Sequence, residues 1–119
     1  MFFVLFVLSD PSKCDDLLTE WEDAGVKGAT ILASSGLGRI RLNQGLRDDF
    51  PLFPSLHDIL EHDEKLSRTL FTVVDSDEMV DKILEKTQNV IGDLNGPDTG
   101  IFIVLPVARV YGLRKNREY

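Results

Sequence analysis

Cysteine occurs once in this chain of 119 residues, at Cys14, so no intramolecular disulfide can form and a reducing compartment is expected. Basic residues are also short: 13 Lys and Arg against 20 Asp and Glu leave a formal net charge of −7. That balance argues against nucleic acid as a partner, because phosphate binding needs clustered cations. The tail Arg114-Lys115-Asn116-Arg117 is the local exception and reads as a solvated end. Long apolar runs are missing as well. The stretch Met1–Leu8 is far shorter than the ~20 residues that span a bilayer, and it lacks the basic start and cleavage site of a secretory leader. It reads as a buried central strand. No Walker loop, nucleophile elbow, zinc-ligand pair or catalytic carboxylate spacing is visible, which makes catalysis the less favoured class. The expectation is a cytoplasmic protein that is neither an enzyme nor membrane-embedded.

The length fits one domain over 1–119. Asp10-Pro11-Ser12 supplies helix-start chemistry, a capping carboxylate and a proline suited to the first turn. Leu17, Leu18, Trp21 and Ala24 then recur at helical spacing, with acidic residues on the other face and Gly25 as the stop. Val26–Ser35 is rich in small and β-branched residues and predicts a second strand. Thr69–Val74 is a third. Asp75 followed by Glu78 resembles a capping box, and Met79, Val80, Ile83, Leu84 and Thr87 make one apolar face of a second helix. Glycines and Pro97 break the chain before a last strand, Ile101–Leu105, closed by Pro106. Strand, helix, strand, strand, helix, strand is the α+β ferredoxin-like βαββαβ plan, with one antiparallel sheet and both helices on one face.

Two stretches carry the functional signal. Gly28–Arg39 ends in Gly36-Leu37-Gly38-Arg39, where two glycines let backbone amides approach an anion and Arg39 adds a permanent charge. Alone this is a weak motif, and a turn with a surface arginine is the plainer reading. Together with Ile101–Val107, however, the segment resembles the two signature regions of the PII signal-transduction family. The resemblance implies a homotrimer with inward-facing sheets, a cleft between subunits that senses a small ligand, and an enzyme or transporter as target. It further implies that Thr30 lines an adenine pocket, that Gly36, Leu37, Gly38 and Arg39 form a cradle, and that Asp98, Thr99 and Gly100 form a second one. Residues 40–67 then correspond to the family's regulatory T-loop, and 112–119 to a C-terminal tail.

The chain departs from the family's pattern in ways that bear on the ligand. Where the family typically reads Gly-Asp-Gly-Lys-Ile-Phe-Val, this sequence reads Pro97-Asp98-Thr99-Gly100-Ile101-Phe102-Ile103, so the phosphate-meeting lysine is replaced by Gly100. Of two arginines expected after Pro106, Gly112 and Arg114 hold the places, leaving Arg114 or Arg109 as cation. An adenine nucleotide is the ligand that the resemblance implies, but not in the usual ATP mode. The 40–67 segment has no tyrosine, which excludes uridylylation there. Its apolar stretch Phe50–Phe53 either folds back on the trimer or docks a partner. His57 and His62, among Asp58, Glu61, Asp63 and Glu64, keep open a CutA-type metal-binding trimer, though their spacing is unlike a metal site's and no metal ligand is assigned. A ligand-free interaction module is the other alternative. Cys14 at a helix start reads as structural.

Overall fold

Eight apolar residues open the chain, and seven of them, Phe2–Leu8, form strand β1 at the centre of the sheet. The computed structural model describes residues 1–36, 67–97 and 99–113. After β1 come a 3₁₀ turn over Pro11–Lys13, helix α1 (Cys14–Ala24), β2 (Thr30–Ser34), β3 (Ser67–Val74), helix α2 (Asp77–Ile91) and β4 (Gly100–Pro106). The sheet order is β2-β3-β1-β4, every neighbouring pair antiparallel. This is the expected βαββαβ plan: each helix joins two strands that run parallel and skip over one between them. No described helix is long and apolar enough to cross a membrane.

Local chemistry places the elements much as the sequence predicts, with adjusted boundaries: β3 begins at Ser67, the last residue assigned to the 40–67 segment, and β4 at Gly100. The Asp10 carboxylate caps the first turn by accepting from the Ser12 amide at 3.0 Å and its hydroxyl at 2.7 Å. Gly25 ends α1 at φ 109°, a left-handed conformation that favours glycine. The cap of α2, however, is Ser76 and not Asp75: the Ser76 Oγ accepts from the Met79 amide at 3.2 Å. Val74 is still paired with Phe2, so the chain needs Asp75 to leave the ladder before it can turn into a helix. Strand β2 also starts later than Val26. The Thr72 hydroxyl donates to the Gly28 carbonyl at 2.6 Å and occupies an oxygen that a longer ladder would need.

Strand alternation sends Val4, Phe6 and Leu8 to the helix side, where all three are fully buried with Leu70, Leu17, Trp21 and Ile83. Each such side chain contributes ~1.5–3 kcal/mol by leaving water. The two helices are also joined through a polar contact inside this layer. The Trp21 indole N–H donates to Thr87 Oγ1 at 2.9 Å, and the Thr87 hydroxyl donates to the Ile83 carbonyl at 2.7 Å. Every buried polar side-chain atom among the described residues has a partner.

No element among the described residues covers the other sheet face in this way. Phe3 and Phe71 pack ring to ring there at 5.4 Å, and Leu32, Ile101, Ile103 and Leu105 stand 52, 59, 40 and 53 % exposed. Val7, Leu5 and Phe3 stand across from Ile101, Ile103 and Leu105, so the surface is continuously apolar over β1 and β4, while Thr69 separates Leu32 from it.

Candidate functional site

A groove of about 440 Å³ lies where β3 runs on past the start of β2. Its wall on one side is the connection Gly25–Ala29, which leaves α1 at the left-handed Gly25. The amide of Gly25 donates to the Glu22 carbonyl and that of Val26 to the Trp21 carbonyl, both at 3.0 Å, so the helix end fixes this wall. The Thr72–Gly28 bond fixes its middle. Met79 of α2 closes the far side; a Cβ on Gly25 would meet its methyl carbon at 3.3 Å. Phe71, Val73 and Asp75 form the opposing wall.

The last wall comes from far away in sequence. Beyond β4 the Val107 amide donates to the Met1 carbonyl at 3.0 Å, which carries the chain over the end of β1. The segment then crosses from one edge of the sheet toward the other and lays Leu113 into the groove. Gly112 turns it at φ 89°. In charge the groove is balanced: Lys27 and Asp75 are its two charged lining residues among those described.

The candidate residues distribute unevenly. Thr30 lines the groove, exposed at the first position of β2. Gly36 lies beyond the other end of β2, exposed, with open space where a Cβ would stand. Thr99 precedes β4 and Gly100 begins it; Gly100 pairs with Leu8, also toward the end of the sheet away from Thr30. Within one chain the two groups are therefore apart. Leu37, Gly38, Arg39, Asp98 and Arg114 lie outside the described residues, as do His57, His62 and the whole of 40–66.

Thr99 and Gly100 are structurally committed. The Thr99 hydroxyl faces the carbonyls of Leu94 and Gly96 at 3.3 and 3.2 Å. Gly100 has φ 137°, and a Cβ there would collide with the Val7 carbonyl oxygen and approach the Phe6 ring to 2.8 Å. No side chain fits on this backbone, so the glycine is required by the turn itself. Cys14 is half-buried; burial pushes its thiol up, more than the nearby Arg68 charge pulls it down. It is a packing residue with a poorly ionised thiol. Among the described residues no three His, Cys, Asp or Glu gather as a metal site.

Most of the groove lining escaped sequence reasoning. Lys27, Phe71, Asp75, Met79 and Leu113 meet only because residues about 40 apart pair across β2 and β3 and the tail returns over the sheet. The one usable signal was charge: Lys27 and Asp75 flank the ends of two strands that a hairpin-like pairing sets side by side.

Comparison with known families agrees with this architecture. The family model for nitrogen regulatory protein P-II matches residues 4–117, nearly the whole chain. No curated protein matches the sequence.

Proposed function

Because the chain belongs to the nitrogen regulatory protein P-II family, whose members are regulatory signalling proteins, we propose that it works as a homotrimeric sensor. Three open sheet faces would meet around the three-fold axis, and a small ligand would bind in the cleft between neighbouring subunits. The observation that carries this reading is the uncovered apolar face of Ile101, Ile103 and Leu105. Apolar area left in water forgoes roughly 25 cal/mol per Å² of burial, and a continuous patch of this kind marks an interaction surface.

The separation of the candidate residues supports an inter-subunit site. Thr30 on one edge strand and Gly100 at the start of the other, with Gly36 beyond the far end of β2, do not meet a small ligand together within one protomer. A trimer brings one protomer's groove beside a neighbour's Gly36–Arg39 root, so both groups act on the same molecule. Arg39 then supplies the anionic contact, with backbone amides of Gly36–Gly38 and Asp98–Gly100 as the cradle and Arg114 as a further cation. Ligand binding favours one arrangement of residues 40–67 over another, and this exposes or hides the docking surface for a target enzyme or transporter in the cytoplasm. Nitrogen control is the role that the family name carries.

Sedimentation equilibrium tests the assembly: a trimer is expected, and a monomer at micromolar concentration overturns the inter-subunit cleft. Calorimetry with ATP, ADP, AMP and cyclic AMP then asks whether a nucleotide is the signal. Arg39→Ala should weaken any such binding while the trimer persists.

A further inference from the structure

We infer that the groove takes a zwitterionic ligand with an apolar body, of the α-amino acid class, its carboxylate on Lys27 and its ammonium on Asp75. This rests on the proposed reading of the groove as the ligand side of the cleft, and it narrows the ligand's chemistry.

Charge is the first argument. Lys27 and Asp75 are the groove's described charged residues, one of each sign, and both are exposed. Yet the two form neither a salt bridge nor a hydrogen bond with each other or with any other described side chain. Two opposite charges without a partner, both lining one groove, match a ligand that carries both poles. Among the groove's described residues a polyphosphate would find a single lysine and, against it, the Asp75 carboxylate. The chain's net charge of −7 adds to that repulsion.

Shape is the second argument. Val26, Phe71, Met79 and Leu113 give the remainder of the groove apolar walls, which suits an aliphatic or aromatic body. The volume of about 440 Å³ is on the scale of small-molecule sites. The turn that would otherwise bring a cation into the cleft cannot do so, because Gly100 admits no side chain. Both observations point away from phosphate recognition and toward a compact, electrically neutral molecule.

Titration calorimetry on the full-length protein tests this with matched probes: L-leucine, L-phenylalanine, N-acetyl-L-leucine, L-leucinamide and ATP. The two amino acids should bind, and the derivatives that lack one pole should bind about fivefold more weakly. Lys27→Ala should weaken L-leucine by a similar factor and leave L-leucinamide unchanged, because the amide has no carboxylate to lose. Asp75→Asn should weaken L-leucine and spare N-acetyl-L-leucine. Heat with ATP and none with the amino acids would overturn the inference while leaving the ligand cleft standing. Silence from every probe, and from ADP, AMP and cyclic AMP in the nucleotide titrations above, would overturn the inference and the ligand-sensing reading together. Circular dichroism of each variant separates loss of binding from loss of fold.

Discussion

The two faces of the sheet are built from similar residues and meet opposite fates. On the helix side Val4, Phe6 and Leu8 have no solvent exposure; on the other side Ile101 and Leu105, in the strand next to them, are more than half exposed. A strand that is apolar at consecutive positions needs partners on both faces. Two helices provide one partner, and the chain has no further element among the described residues to provide the second. The difference teaches that the hydrophobicity of β1 and β4 exceeds what the described elements of one protomer cover. The proposed trimer accounts for that surplus.

The sharpest way to break this comparison is to remove one side chain from the covered face. Phe6→Ala should cost ~3–5 kcal/mol, because the ring is fully buried and packs against Phe102 at 6.2 Å. Urea denaturation reads the loss directly, and a cost below about 1 kcal/mol would show that the helix layer is loosely packed. Gly100→Ala comes next, at ~3 kcal/mol, from a positive φ combined with a collision against Val7. Gly100→Lys should be at least as damaging and should not create an anion site. Recovery of ATP affinity in a stable Gly100→Lys protein would refute the reading of this turn.

Thr87→Val is a smaller perturbation, ~1–3 kcal/mol, since it leaves the buried Trp21 N–H without an acceptor while preserving shape. Thermal unfolding should detect it as a lowered midpoint at unchanged oligomeric state. The smallest effect on the protomer's own folding is expected from Ile103→Asp on the open face, where the side chain is already 40 % exposed. Its consequence should appear in sedimentation, with dissociation to a folded monomer of unchanged far-UV ellipticity. A trimer that survives this charge would show that the open face is not the interface. By contrast, the Lys86–Glu20 pair between the helices, at 3.5 Å and about a third exposed on both sides, should matter little to either face.

Much of the fold was legible because it depends on local pattern. The apolar octet gave β1, the helical spacing of Leu17, Trp21 and Ala24 gave α1, and Gly25 announced its end. Local pattern was less decisive where two neighbouring residues could serve one role. Asp75 and Ser76 can each cap a helix, and the choice fell to Ser76 because the sheet holds Val74 in register with Phe2. The start of β2 was displaced for a similar reason, through a hydroxyl 44 residues away in the chain. The candidate site was legible only at Thr30. Its other walls are products of long-range pairing and of a tail that folds back over the sheet, neither of which leaves a trace in residue spacing. Gly100 shows the opposite limit: the sequence marks a missing lysine, whereas the backbone shows that nothing but glycine can stand there.

Trp21 is the chain's one tryptophan, and its position gives the protein an optical readout of its own. The indole is 1 % exposed and hydrogen-bonded to α2, which sets a shielded, blue-emitting environment. The same residue's carbonyl holds the Val26 amide, the first link of the groove wall. A ligand that shifts this wall pulls on the backbone of the only tryptophan fluorophore. Intrinsic emission can therefore report binding without a label, while Tyr111, 84 % exposed near the groove's last wall, serves as an independent donor for energy transfer to it.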